Sequence, residues 1–313
     1  MPRDSLVLAI DVGGTHIRLA AVGASGHIQG RLKRLAALSG LSATADDAVG
    51  ERVLGILADA MWQIRKRYSV QAVGVGFPGF FYGNTGVLAS SPNIPALHEF
   101  PLAAKLSEAM SLPVLVQNDA TVAALGESRF GAGRDCENLL HLTLGTGVGG
   151  GLILNGSPYT GEGGMAMEIG HLRVVSKGRS CGCGGMGCLE AYASATAIAT
   201  RYSEISGRPV KDAEHVYQRA KKGDHTARQM FGEAAGHLGY AIAEAVKLLD
   251  VHHISISGGL TGAWDLLSDP MAETMNAYLI PPLKGLIDIR RSRLGDNAGL
   301  LGAAALAMEN PAG

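Results

Sequence analysis

His171, Cys181, Cys183 and Cys188 place one imidazole and three thiols on a single short stretch, a ligand set suited to a closed tetrahedral zinc site. The stretch reads E-I-G-H-L-R-V-V-S-K-G-R-S-C-G-C-G-G-M-G-C-L-E over residues 168–190 and holds three of the four cysteines. Gly182, Gly184, Gly185 and Gly187 let the backbone turn tightly enough to bring three sulfurs onto one ion. A run so short and glycine-rich cannot hold its shape by apolar burial. An ion would fix it, and with it the relative positions of Glu168 and Glu190. The reading is therefore a structural zinc with two glutamates facing a substrate. Disulfides or merely clustered free thiols are the alternatives. No secretory signal precedes the first strand, so a reducing cytoplasm is the expected compartment. Cys136 stands apart and reads as a small buried apolar residue.

The rest of the chain must position that stretch. The apolar run over residues 6–12 is a buried strand. It ends in D-V-G-G-T (Asp11, Gly13, Gly14, Thr15), and residues 16–22 return as a second strand, with a third over 28–35. This is a hairpin, unlike the strand-to-helix turn of a P-loop. Turn amides and the Thr15 hydroxyl could hold phosphate there, with Asp11 placed for a hydrated magnesium ion; an ordinary hairpin is the plain alternative. Residues 47–68 carry apolar positions at helical spacing. Residues 70–76 form the next strand, and the loop S-S-P-N-I-P holds Asn93 between prolines that stiffen it. The strand 113–117 ends in Asn118 and Asp119, where an α/β fold places its ligand crevice and where a helix N-cap is also favoured.

A strand over 139–144, a turn G-T-G-V-G-G-G over 145–151 and a strand over 152–155 repeat the layout of residues 6–22. The repeat suggests a duplicated domain with a cleft between the copies, each offering one phosphate loop. Helices are expected over 191–203 and 224–249. The strand 254–257 ends in Gly258 and Gly259, against which a base or ribose could lie. A small-residue helix over 297–308 is expected to pack on the first domain.

Among 313 residues, 47% are hydrophobic and 18% charged, with a net charge of −1, which fits two ordinary domains. The balance leaves no electrostatic footprint for nucleic acid or an anionic membrane. No apolar run is long enough to span a bilayer.

With D-V-G-G-T, N-D, L-G-T-G-V-G-G-G, E-I-G-H, C-G-C-G-G-M-G-C-L-E and S-G-G-L in this order, the chain resembles the ROK family of bacterial sugar kinases, within the actin-like and hexokinase-like ATPase fold. The resemblance covers nearly the whole length, and the cysteine run with its bracketing glutamates is its most specific part. It implies an α/β fold of two duplicated actin-like (ribonuclease H-like) domains: 1–118 plus about 297–313, and 119–296 carrying the zinc loop. It implies that Asp119 is the catalytic base and that Asn93, Asn118, Glu168, His171 and Glu190 bind sugar hydroxyls. His171 would use its other ring nitrogen for zinc. Gly13, Gly14, Thr15, Gly145, Thr146 and Gly147 would surround the phosphates of magnesium-bound ATP, and Gly258 and Gly259 the adenosine.

Family members that repress transcription carry a DNA-binding domain ahead of the first strand, which is not expected here. The run C-L-E-A-Y-A-S-A-T-A-I is similar to the glucokinase branch, as is S-P-N-I-P, making glucose the expected acceptor. D-V-G-G-T-H-I-R is similar to the allose kinase branch, and N-acetylmannosamine, N-acetylglucosamine, fructose and mannose kinases share the core motifs. A non-catalytic sugar sensor, a zinc-stabilised interaction module and a polyphosphate-dependent kinase are the rival readings. The family implies a homodimer or homotetramer.

Overall fold

A computed structural model describes residues 5–13, 16–35, 38 and 46–309. Two compact units emerge. One comprises Met1–Glu137, Gly151–Ala166 and Asp296–Gly313, the other Asn138–Gly150 and Met167–Gly295.

In the first unit, β1 (Leu6–Val12), β2 (His16–Gly23) and β3 (Ile28–Leu35) form an antiparallel meander. The helix α1 (Asp46–Arg65) leads to β4 (Val70–Phe77), and three short strands, β5 (Phe80–Phe81), β6 (Leu88–Ser90) and β7 (His98–Phe100), make a small sheet. Next come α2 (Leu102–Met110), β8 (Val114–Asn118) and α3 (Asp119–Phe130). The main sheet runs β3-β2-β1-β4-β8, with β1, β4 and β8 parallel. Both faces of β1 are covered, so its side chains read as a continuous apolar run. Leu8, Ile10, Val53, Leu57 and Met61 belong to one buried cluster.

The second sheet runs β11-β10-β9-β12-β13. Its strands are β9 (Leu139–Leu144), β10 (Val148–Leu154), β11 (Ser157–Pro158), and, later in the chain, β12 (His253–Ser257) and β13 (Asp288–Arg291). β9, β12 and β13 are parallel, and the unit boundary falls within β10. Between β11 and β12 lie α4 (Glu190–Ala193), α5 (Ala195–Ser206), α6 (Ala213–Lys221) and α7 (His225–Leu249). After β12 come α8 (Trp264–Tyr278) and finally α9 (Ala298–Glu309). α9 packs on α3, β1 and β4 in the first unit. None of the described helices is long and apolar enough to cross a membrane.

Three expectations needed correction. The glycine turn after β9 ends by Gly147, because β10 begins at Val148 and takes the remaining glycines into the strand. They are there for close approach: a Cβ on Gly151 would lie 2.8 Å from the Ala120 carbonyl oxygen and 2.6 Å from the Ala124 methyl. The single helix expected over 191–203 is two, broken at Ser194, whose extended backbone and hydroxyl cap α5 through the Ala197 N–H at 3.0 Å. Cys136 is half-buried rather than buried. Sequence reasoning passed over α6, although its buried Ala213, Val216 and Ala220 recur at helical spacing behind the Asp212 cap; β13 and the strands of the small β5-β6-β7 sheet are too short to show a period.

Candidate functional site

In the first unit, three acidic or amide side chains collect at the carboxyl ends of parallel strands. The register pairs Asp11 with Gly76 and Asn118 with Phe77, so β1, β4 and β8 end together. Asn118 caps α3. Its Oδ1 accepts from the Ala120 and Thr121 N–H groups at 2.9 and 3.1 Å, and its Nδ2 donates to the Gly79 carbonyl at 3.1 Å. The cap fixes Asp119 as the first helical residue, with its Oδ1 accepting from Ala120 N–H at 2.9 Å. Asn93 is exposed on a loop tied down by Ile94, which is buried, and by the Ser91 hydroxyl, which donates to Pro78 O at 2.7 Å. The turn at Pro78 and Gly79 thus anchors both this loop and Asn118.

Asp11 lies against the start of α9, where a Cβ on Gly299 would come 2.8 Å from its carboxyl carbon. Burial pushes its pKa up to about 6; Arg18, 3.6 Å away, opposes the rise, and the charges of Asp119 and Asp296 add to it. A carboxylate so crowded favours a nearby cation. Gly13 donates its N–H to the His16 carbonyl at 2.9 Å, closing the hairpin. Gly14 and Thr15 lie outside the described residues.

The second unit holds the cysteine loop. A tetrahedral ion with metal–sulfur bonds of about 2.3 Å sets neighbouring ligand atoms about 3.8 Å apart. Here Cys183 Sγ and Cys188 Sγ are 3.7 Å apart, and Cys181 Sγ and His171 Nδ1 are 3.6 Å apart. The four ligand atoms all lie within 4.8 Å of one another, so the residues fit a zinc ion. Burial and the neighbouring thiols push Cys188 up to about 12, the crowding that a divalent cation relieves. The backbone closes around the same point: Cys181 N–H donates to Gly185 O at 2.9 Å and Gly187 N–H to Arg179 O at 2.7 Å. Gly187 is held at φ 77°, and a Cβ there would also strike the Val175 carbonyl, so two separate constraints call for glycine.

This loop presents both glutamates. His171 turns Nδ1 to the cysteines and Nε2 towards Glu168, whose Oε2 is 3.8 Å away. Glu168 has a raised pKa, from burial first, with His171 opposing and Glu190 adding. Glu190 does something its sequence did not announce: Oε2 accepts the Val148 N–H at 2.9 Å and lies against Gly147, where any Cβ would collide with it. It therefore joins the cysteine loop to the Gly145–Thr146–Gly147 turn. That turn is closed by Gly145 N–H to Gly147 O at 3.0 Å, and α5 holds it from behind, Ala195 N–H donating to Gly145 O at 2.8 Å and the Thr196 hydroxyl to Thr146 O at 2.9 Å. Gly258, at φ 91°, and Gly259 open a short 3-10 turn in which the Thr261 hydroxyl donates to Gly258 O at 2.8 Å.

Sequence reasoning missed two supports. Arg18, just past the D-V-G-G-T turn, is the cation beside Asp11. Tyr192, two residues after Glu190, accepts the Arg179 N–H at 2.7 Å. Its ring is held between His237, at 4.8 Å, and the Arg201 guanidinium, at 5.3 Å. An aromatic beside a ligand loop was the available signal.

The ROK family profile matches residues 7–310. The chain is 33% identical over 326 residues to the glucokinase of Thermotoga maritima, covering all of both chains. It is 34% identical over 302 residues to an N-acetylmannosamine kinase of Escherichia coli O1:K1, covering 96% of this chain and 97% of the other. A ROK family glucokinase from Streptomyces griseus, solved with glucose and AMPPNP, is similar at a TM-score of 0.81 and 31% identity, over 98% of this chain and 100% of that one. The cluster of His171 with three cysteines, the capped Asp119 and a match along almost the full length agree: the chain belongs to the ROK family, and it stands with that family's sugar kinases.

Proposed function

We propose that this ROK-family sugar kinase transfers the γ-phosphoryl group of ATP to a hexose hydroxyl, with glucose as acceptor and glucose 6-phosphate as product. The observation that carries the reading is the gathering of four metal-ligand atoms within 4.8 Å in the loop that bears Glu168 and Glu190. Clamped acidic side chains can accept from several hydroxyls of one sugar at fixed angles. Leaving one such group unpaired costs about 1–3 kcal/mol, which separates epimers by roughly tenfold to a hundredfold.

In this reading Asp119 orients the attacking hydroxyl and accepts its proton late in the transfer. Asn118 holds Asp119 in place through its cap, and Asn93, Glu168, His171 and Glu190 bind the sugar. His171, Cys181, Cys183 and Cys188 hold zinc, whose contribution is to keep the loop in shape. Gly13, Gly14, Thr15, Gly145, Thr146 and Gly147 receive the phosphates, with Gly258 and Gly259 beside the adenosine. Asp11 is the residue to hold magnesium, which when bound neutralises phosphate oxygens; alignment by the turn amides does the rest.

The test is ADP release across hexoses and N-acetylhexosamines with ATP and magnesium. The reading expects the highest kcat/KM with glucose. A preference for N-acetylmannosamine, which the 34% identity to the Escherichia coli enzyme favours as second reading, would replace the acceptor and keep the site. Absence of ADP release with every sugar would overturn the reading.

A further inference from the structure

His141 is fully buried in the middle of β9, a strand whose other residues are leucines and Thr143. Both ring nitrogens meet side-chain hydroxyls. Nδ1 lies 2.8 Å from Ser255 Oγ, and Nε2 lies 3.0 Å from Ser257 Oγ and 3.1 Å from Thr143 Oγ1. Thr143 and Ser257 are 3.3 Å from each other. The parallel register sets His141 beside Ser255 and Thr143 beside Ser257, so alternate residues put all four on one face of the strand pair. Burying an imidazole and hydroxyls without partners costs far more than burying apolar groups. Here they satisfy one another, and burial keeps the imidazole neutral by lowering its pKa to about 3.

The position of this column matters more than its stability. Thr143 is followed by Leu144 and the Gly145–Thr146–Gly147 turn, and Ser257 is followed directly by Gly258. The two turns start in contact, since a Cβ on Gly258 would collide with the Leu144 backbone. Each turn is also tied locally, the first to α5 through Thr196 and the second to its own short 3-10 helix through the Thr261 hydroxyl. Nε2 of His141 draws together the hydroxyls on the last polar positions of both strands. Apolar packing has no direction and tolerates small slips of one strand along another; hydrogen bonds to a ring of fixed geometry do not.

We propose that His141, through Thr143 and Ser257, is a positioning residue that sets the spacing of the two nucleotide-binding turns. This rests on the reading above that those turns hold ATP. The expected ligand effect is larger on ATP than on sugar: the spacing governs how phosphates and adenosine are accommodated together, and of the proposed sugar ligands only Glu190 touches either turn, through Val148 and Gly147.

The experiment compares wild type with His141→Leu, His141→Gln and the double variant Thr143→Val/Ser257→Ala, measuring KM for ATP, KM for glucose, and ATP affinity by calorimetry. His141→Leu is expected to raise KM for ATP about tenfold, the loss of roughly one well-placed interaction, with KM for glucose within about twofold. His141→Gln, which keeps a donor and an acceptor, is expected to recover most of the loss. The double variant is expected to repeat the effect of His141→Leu and decides the matter if that variant does not fold. A lowered melting temperature with unchanged KM for ATP, or parallel rises in both KM values without recovery by glutamine, overturns the positioning role. If wild type itself binds no ATP, the reading of the turns falls and the inference with it; wild-type binding with unaltered variants overturns the inference alone.

Discussion

Two regions of this chain are rich in glycine and use it for opposite ends. Where α3 meets α9 and β4, glycine removes side chains so that backbones can touch: a Cβ on Gly302 would collide with the Val122 carbonyl, one on Gly126 with the Ala298 carbonyl, and one on Gly74 with the Ala303 carbonyl. None of the three has a positive φ. In the loop over 168–190, a Cβ on Gly182 or Gly184 would meet nothing within 4 Å, and Gly184 and Gly187 adopt φ values of 85° and 77°. Here glycine bends one backbone into a turn. The first region is stabilised by close packing and the second, in the proposed reading, by ligand chemistry, so each is open to a perturbation the other should ignore.

Metal removal gives the largest expected effect. Stripping zinc with a strong chelator, or the triple change of Cys181, Cys183 and Cys188 to Ser, is expected to abolish hexose phosphorylation, because structural zinc contributes on the order of 10 kcal/mol to small sites. Far-UV circular dichroism should barely change. Protein that holds no tightly bound metal, or retains its activity without it, breaks the comparison. Next is Asp119→Ala at the start of α3, expected to cut kcat by about 10²–10⁴ with zinc content and sugar binding intact. Near wild-type turnover would remove the base assignment.

Gly302→Ala follows, with an expected loss of about 3 kcal/mol in unfolding free energy, since backbone must move to admit the methyl. Gly182→Ala, in open space, is the matched control and should cost less than about 1 kcal/mol. Equal losses would erase the distinction between the two glycine roles.

Last comes Asp11 beside α9. Its folded pKa of about 6 exceeds the ordinary value of 3.8, so the ionised form is disfavoured in the fold. That cost appears as pH rises past about 4 and is complete above about 6. Asp11→Asn, without magnesium, is therefore expected to stabilise the protein by up to about 3 kcal/mol at pH 7.5 and not at pH 4. Thermal melts at the two pH values check the sign, while activity should fall.

The contrast also explains what could be read from the order of residues. The cluster of His171 with the three cysteines was legible because candidate metal ligands are recognised by residue type and near spacing, both visible along the chain. The hairpin β1–β2 and the buried stripe of α1 were legible through their periods. Glycine was ambiguous: Gly149, Gly150 and Gly151 look like a turn yet lie in β10, and Gly150 and Gly151 are glycine because Met167, Ala120 and Ala124 approach from elsewhere in the chain. Asn118 allowed both a cap and a ligand, and its side chain is engaged in the cap. His141 showed only as a polar residue in a largely apolar strand. Thr143 sits two residues along the same strand, but the partners Ser255 and Ser257 become known only when β9 is paired with β12.

Glu190 carries the last lesson. One of its oxygens grips Val148 at the mouth of a glycine turn, while the residue itself is chained to Cys188 only two positions away. If the loop holds zinc and the turn holds phosphate, as proposed, a cell short of zinc would lose more than sugar recognition, for the slackened loop would tug on the amide at the mouth of the turn. A single carboxylate would then link trace-metal supply to nucleotide affinity.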